Sequence, residues 1–286
     1  MASQQSERHD NDDLTRARES LASALQLRDA PQLIRSFNEG LSNRSFLVGL
    51  DDEQWVVRCP TGAPALGTDF SREIRIHQRA SDSGLAPRIV YADAQSKVLC
   101  TEFVESRGDT DDPRAIAELL RGIHELPSEG PALDPRERLS AFRAELFDSD
   151  PACRVLDSHG ETLRHAEHFV SPNEHSVLCH NDLLRANRLE AHDRLLAIDW
   201  EYACAGDPYF DLAAVASELN DDERNSLLTA YLNREPKVAD LQRYFAHGVF
   251  YLAISHLWMA RYTPEHFDEE VMASELAMQA KRLESL

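Results

Sequence analysis

The sequence predicts an α+β chain in two lobes, a small antiparallel sheet followed by a mainly helical lobe. Three observations carry that expectation. Between Leu33 and Phe103 apolar residues come in short runs separated by turn-forming Asn, Asp, Gly and Ser, the signature of hairpins. From Pro113 onward they recur at three- and four-residue steps over segments long enough for helices. The 286 residues exceed one average domain but fall short of two large ones, which suits two lobes sharing a cleft. The expected divisions are a frayed 1–13, a first lobe over 14–104 and a second over 105–286.

In chain order, Leu14, Ala17, Leu21, Ala24 and Leu25 recur at helical spacing and predict a short amphipathic helix ending before Pro31. Residues 33–37 and 46–50 flank a polar tip and read as a hairpin, with 54–58 as the next strand. A helix over 69–81 follows. After Gly84 and Pro87 come two strands, 88–91 and 97–103, separated by a turn at 93–96. The second lobe opens with Asp112 as N-cap and Pro113 at the first helical position, and Ile116, Leu119, Leu120, Ile123 and Leu126 line one face. Helices are expected over 134–147 and 157–169, joined by a proline-containing turn at Pro151. Gly206-Asp207-Pro208 reads as a turn and 212–219 as a helix, with further helices over 222–231, 238–261 and 265–283.

The stretch from 176 to 212 carries the chemistry. Val177 to Cys179 leads into His180, Asn181 and Asp182; Asn187 follows five residues after Asp182, and a second apolar run, Leu195 to Ile198, delivers Asp199. Two short strands therefore present polar oxygens at their ends. Phosphoryl transfer is assembled from such parts, one carboxylate to take the acceptor's hydroxyl proton and an amide with a second carboxylate to hold magnesium on the nucleotide phosphates. The spacing His-x-Asp-x4-Asn, then a strand ending in Asp, is a catalytic-loop and metal-loop pattern. HNDLLRAN, IDWEYA and GDPYFDLA together resemble the choline/ethanolamine kinase, thiamine kinase and aminoglycoside phosphotransferase superfamily, most of all its bacterial choline-kinase and thiamine-kinase branch. The similarity continues through most of residues 33–262.

That resemblance implies a protein-kinase-like fold, ATP and Mg2+ as cofactors, and a set of roles. Asp182 becomes the base, and Asn187 and Asp199 the magnesium ligands. The tip at 38–45 becomes the phosphate loop, where Gly40 lets the backbone approach an anion and Ser42, Asn43 and Ser45 can form a nest for phosphate oxygens. Arg58 stands where protein kinases have lysine; its fork suits two phosphate oxygens, and Glu73 is its expected partner. Residues 101–104 become the linker whose backbone, at Glu102 and Val104, holds the adenine edge. Asp211 braces the catalytic loop. His124, a family landmark, reads as a packed structural histidine.

The balance of 30 basic against 50 acidic residues, formal charge −20, argues against nucleic acid and anionic membranes as partners and suits a cationic substrate. Glu201 and Trp200 could meet a positive head group. Aromatics at 251, 258 and 262 share a helix face that fits either a core stripe or a cation cage, which makes Trp258 a further candidate. Five cysteines without a C-x-x-C pair read as buried thiols in a reducing compartment, and no apolar stretch reaches the length of a membrane span, so a cytoplasmic protein is expected. The expected reaction moves the terminal phosphate of ATP to a small cationic alcohol, thiamine slightly ahead of choline or ethanolamine. An aminoglycoside acceptor and an inactive nucleotide-binding regulator are the alternatives.

Overall fold

A computed structural model describes residues 14–37, 43–60, 66–106, 108, 111–170, 176–191 and 194–286. The expected frayed segment, 1–13, lies outside them. Two compact units follow one another along the chain and divide after residue 107.

In the first unit five strands form one antiparallel sheet: β1 (Gln32–Phe37), β2 (Asn43–Leu50), β3 (Glu53–Pro60), β4 (Ile89–Asp93) and β5 (Val98–Glu102), in the order β1-β2-β3-β5-β4. Register decides which side chains share a face. Phe46 pairs with Val57, Val48 with Trp55, and Val57 with Cys100. With Cys59 and Val98 these make one apolar face, and the helix over residues 14–24, α1, joins that core through Leu14, Ala17 and Leu21. A helix this short is marginal alone, so docking holds it, each buried leucine contributing about 2 kcal/mol. Side chains alternate along a strand, which sends Ser45 and Arg58, themselves register partners, to the opposite face. There Arg58 meets Glu73 of α2 (Phe70–Asp82), a helix capped by the Asp69 carboxylate, which accepts from the Arg72 N–H at 3.0 Å.

The second unit is mainly helical: α3 (Pro113–Glu125), α4 (Pro135–Ala144), α5 (Pro151–Ser158), α6 (Gly160–Glu167), α7 (Pro208–Ala216), α8 (Asp221–Leu232), α9 (Val238–Tyr262) and α10 (Glu269–Glu284). α9 runs through its centre and packs against α4, α6, α7 and α10, while α3 packs against α8. The α+β class with a small antiparallel sheet and a helical remainder is as expected.

Several boundaries differ, for physical reasons. Pro151 does not sit in a turn; with Asp150 as cap it occupies the first position of α5, so 134–169 holds three helices rather than two. Asp207-Pro208 is likewise a cap and first turn, which starts α7 four residues before the expected 212. The Asp207 carboxylate, besides capping, faces Arg243 at 2.7 Å and His247 at 3.1 Å.

Two short ladders complete this unit. β6 (Val177–Cys179) pairs with β9 (Cys204–Gly206), and β7 (Arg188–Ala191) with β8 (Arg194–Ala197). β9 carries no strand signal in its Cys-Ala-Gly and exists because β6 lies beside it; a Cβ at Gly206 would meet Cys179 Sγ at 3.3 Å. The five cysteines are all buried and no disulfide joins any two. No described helix is long and apolar enough to cross a membrane.

Candidate active site

The centre of the second unit is the turn after β6. Cys179 ends the ladder, and the next two amides are both captured by one buried carboxylate: the His180 N–H donates to Asp211 Oδ2 at 2.8 Å and the Asn181 N–H to Asp211 Oδ1 at 2.6 Å. Asn181 adopts φ 65°, a left-handed conformation that asparagine tolerates better than most residues, and its amide donates to the Tyr202 carbonyl at 3.0 Å. His180 is fully buried. Its ring stacks obliquely on Trp200, centroids 4.7 Å apart, and its Nε2–H donates to the Ile198 carbonyl at 3.0 Å. Burial holds its pKa below the usual value, which favours the neutral ring.

This turn delivers Asp182. Asn187, at the end of a single 3-10 turn (Arg185–Asn187), donates from its amide nitrogen to the Asp182 carbonyl at 2.8 Å and to Oδ2 at 2.9 Å. The Ile198 N–H donates to the Asn187 carbonyl at 3.0 Å, which ties the loop to the residue before Asp199. Asp199 has φ 62° and ψ 65°, and a second 3-10 turn, Trp200–Tyr202, starts from it. Burial first, then the charges of Asp199 and Glu201, push the Asp182 carboxyl well above the ordinary carboxylate range, partly offset by the Asn187 hydrogen bond. A carboxyl in that setting holds a proton more tightly than an exposed one, as proton acceptance asks.

The expected site residues separate into those the structure groups and those it does not. In the second unit Asp182, Asn187 and Asp199 come together, with Glu201 close enough to act on Asp182 and on Tyr202. Trp200 is a correction. It is 0 % exposed, and its indole N–H donates to the Ala197 carbonyl at 3.2 Å, so it packs under His180 and offers no face to a ligand. Trp258 is half-buried, and its indole N–H donates to the Tyr202 hydroxyl at 3.0 Å with the Tyr262 ring 5.4 Å away. Tyr202 is thus a residue that sequence reasoning missed. Its signal was its place beside Glu201, two positions on from the tryptophan singled out instead.

Also missed is a set of ion pairs beneath the loop. The Arg185 N–H donates to Glu218 Oε2 at 2.6 Å, and the Arg185 guanidinium forks onto Asp111. Arg188, buried, donates to the Leu183 carbonyl at 3.0 Å and reaches Asp111 at 3.3 Å.

In the first unit Arg58 and Glu73, expected as partners, form a buried ion pair. Ser45 lies opposite Arg58 in the ladder, and Asn43 opens β2. Gly40 and Ser42 lie outside the described residues. Glu102 ends β5; its carboxylate accepts from the Arg88 N–H at 3.0 Å, its own N–H is spent on the Arg88 carbonyl, and the Phe103 N–H on that of Gln54. Val104 follows, half-buried, beyond the strand.

The profile of the phosphotransferase enzyme family matches residues 33–247. The chain belongs to this family. Among relatives of this phosphotransferase, a thiamine kinase of Escherichia coli is 30 % identical over 205 residues, 70 % of this chain and 72 % of that one. Among solved structures, a choline/ethanolamine kinase family protein from Mesorhizobium loti superposes with TM-score 0.71 at 20 % identity, covering 95 % of each chain. Choline kinase LicA from Streptococcus pneumoniae superposes with TM-score 0.69 at 20 % identity, covering 94 % of this chain and 98 % of that one. At such identity the structural likeness speaks for the fold, which is kinase-like.

Proposed function

We propose that this phosphotransferase moves the terminal phosphate of ATP to the hydroxyl of a small cationic alcohol of the thiamine or choline class, with Asp182 as the base. What carries the reading is the grouping of Asp182, Asn187 and Asp199: Asn187 donates to Asp182, and the N–H of Ile198, the residue before Asp199, donates to the Asn187 carbonyl. The named activities of the relatives, thiamine kinase and choline kinase, point to the same class of acceptor.

A divalent cation suits these residues. Asn187 spends its amide nitrogen on Asp182, which leaves the amide oxygen as what it can offer a metal, and Asp199 adds a carboxylate. All-oxygen donors are those magnesium takes, and the negative charge that Asp182, Asp199 and Glu201 impose on one another is what a cation offsets. Magnesium bound there with the nucleotide would neutralise charge on the phosphates. The chain's own residues do the rest. Asp182 accepts the hydroxyl proton as the oxygen attacks, Asn187 keeps the Asp182 carboxylate in one orientation, and Arg58, held by Glu73, steadies phosphate oxygens. The backbone at Glu102 and Val104 receives the adenine edge, and Asn43 and Ser45 belong to the phosphate-binding hairpin.

Glu201, Tyr202 and Trp258 support a cationic acceptor. A carboxylate beside two linked aromatic rings attracts positive charge by Coulomb force and by the ring quadrupole, each worth more out of bulk water. The test compares choline with its neutral isostere, in which carbon replaces the quaternary nitrogen, and thiamine with an analogue whose charged ring is replaced by a neutral one. The charged acceptor should show the lower KM by about tenfold or more, and Glu201→Gln should raise that KM while leaving the KM for ATP alone. Equal KM values for charged and neutral acceptors, with Glu201→Gln silent, leave a kinase whose acceptor is not cationic.

A further inference from the structure

We propose that Arg188 is a positioning residue for the transfer reaction: its buried guanidinium holds the Leu183 carbonyl, and so keeps the chain from Asp182 to Asn187 in the shape that sets these two residues against each other. This deepens the reading above and rests on it only in taking Asp182 and Asn187 as the groups to be set.

Two neighbouring residues capture four consecutive carbonyls of the loop. Asn187 takes that of Asp182 with its side-chain nitrogen at 2.8 Å and that of Leu184 with its backbone N–H at 2.9 Å. Arg188 takes the alternate pair, that of Leu183 with Nη1 at 3.0 Å and that of Arg185 with its backbone N–H. Leu183 is 0 % exposed, so water cannot stand in for Arg188, and among the described residues no other donor reaches its carbonyl.

The guanidinium is itself held in one place. The Arg188 side chain is 2 % exposed, and a charge so deep needs counter-charges. Nη2 has them in Asp111 Oδ1 at 3.3 Å, just before α3, and Glu218 Oε2 at 3.6 Å, just after α7. The same Glu218 oxygen accepts the Arg185 N–H at 2.6 Å, and Asp111 also holds the Arg185 guanidinium. One fork thus spans from two carboxylates, on Nη2, to a loop carbonyl, on Nη1.

The bond from Asn187 to Asp182 closes the loop, and it is only as firm as the chain between its ends. Without the Arg188 donor the Leu183 carbonyl is buried and unpaired, and its peptide turns to find a partner. That turn carries along Leu184, whose carbonyl holds the Asn187 N–H, so Asn187 moves against Asp182. A displacement of about 1 Å at a reacting group is enough to slow an enzyme by about 10²-fold.

An arginine that serves only as a buried ion pair makes a different prediction, and two variants separate them. Arg188→Lys keeps the positive charge for Asp111 and Glu218 and gives up the fork, since one ammonium cannot hold the carboxylates and the carbonyl in their present places. Asp111→Asn does the reverse: it weakens the ion pairs and leaves the fork on Leu183, with Glu218 still its counter-charge. At saturating ATP and magnesium, Arg188→Lys should lower kcat by about 10- to 100-fold with the acceptor KM within about threefold of the parent, and Asp111→Asn should keep kcat within about threefold whatever its melting temperature. Hydrogen exchange supplies a readout that needs no turnover. In Arg188→Lys the amides of Arg185, Asn187 and Arg188, all hydrogen-bonded in the parent, should exchange faster by about tenfold or more while those of α9 keep their parent rates.

A kcat within about threefold of the parent in Arg188→Lys, an equal loss of kcat in the two variants, or unchanged exchange at the three amides overturns the proposal. An Arg188→Lys chain that does not fold overturns it too, because the guanidinium then carries the fold rather than the shape of the loop. The outcome is separable from the base assignment. Near-normal turnover in Asp182→Asn with the split between 188 and 111 intact removes Asp182 as base and leaves the role of Arg188; an inactive Asp182→Asn without that split removes only the role of Arg188.

Discussion

Asp182→Asn is expected to lower turnover by about 10²-fold or more while nucleotide affinity stays near its parent value. Asparagine has the size of aspartate and can still accept from the Asn187 amide, as Asp182 Oδ2 does at 2.9 Å, so the loop keeps its shape. What it cannot do is take a proton. The loss therefore falls on kcat, and equilibrium binding of ATP with magnesium, followed by calorimetry, serves as the control. Near-normal turnover would reassign the base.

The second large effect is expected at Asp199. Its backbone is left-handed, φ 62°, and asparagine tolerates that region where alanine resists it, so Asp199→Asn removes the charge with little backbone penalty. Partners that merely support a metal ligand cost about 10- to 100-fold in metal affinity when lost. Losing a ligand's charge should cost at least as much, so the magnesium needed for half-maximal ATP binding should rise by about 10²-fold or more, and turnover should fall with it. An unchanged magnesium dependence would show that Asp199 is not a ligand.

The sequence made part of this site legible because its spacing is local. Asp182 and Asn187 lie within one turn of chain, and Asp199 closes an apolar run, so their grouping needs only two short strands to form. Trp200 and Tyr202 were not legible in the same way. Which neighbour of Asp199 points inward depends on the left-handed turn there, and neither Asp nor Trp dictates that conformation. The Arg185–Asp111 pair joins residues 74 apart, and the His124–Asp211 pair residues 87 apart. No period or motif links such positions; only the fold of the second unit, in which α3 packs against α8, β6 and β8, brings His124 to its carboxylate. Pro151 shows a local version of the same limit, since proline marks a turn or a first helical position equally well until its Asp150 cap is seen.

In the proposed reaction a phosphate leaves ATP for the hydroxyl of a cationic alcohol. Incubating purified protein and magnesium-ATP with thiamine, choline, ethanolamine or an aminoglycoside, one at a time, and following phosphorus NMR tests it directly. A new phosphomonoester resonance is expected to grow with ADP in the presence of thiamine, choline or ethanolamine, and none without an acceptor. A new ester with only the aminoglycoside would contradict the acceptor class, and ATP left intact with every acceptor would contradict catalysis itself.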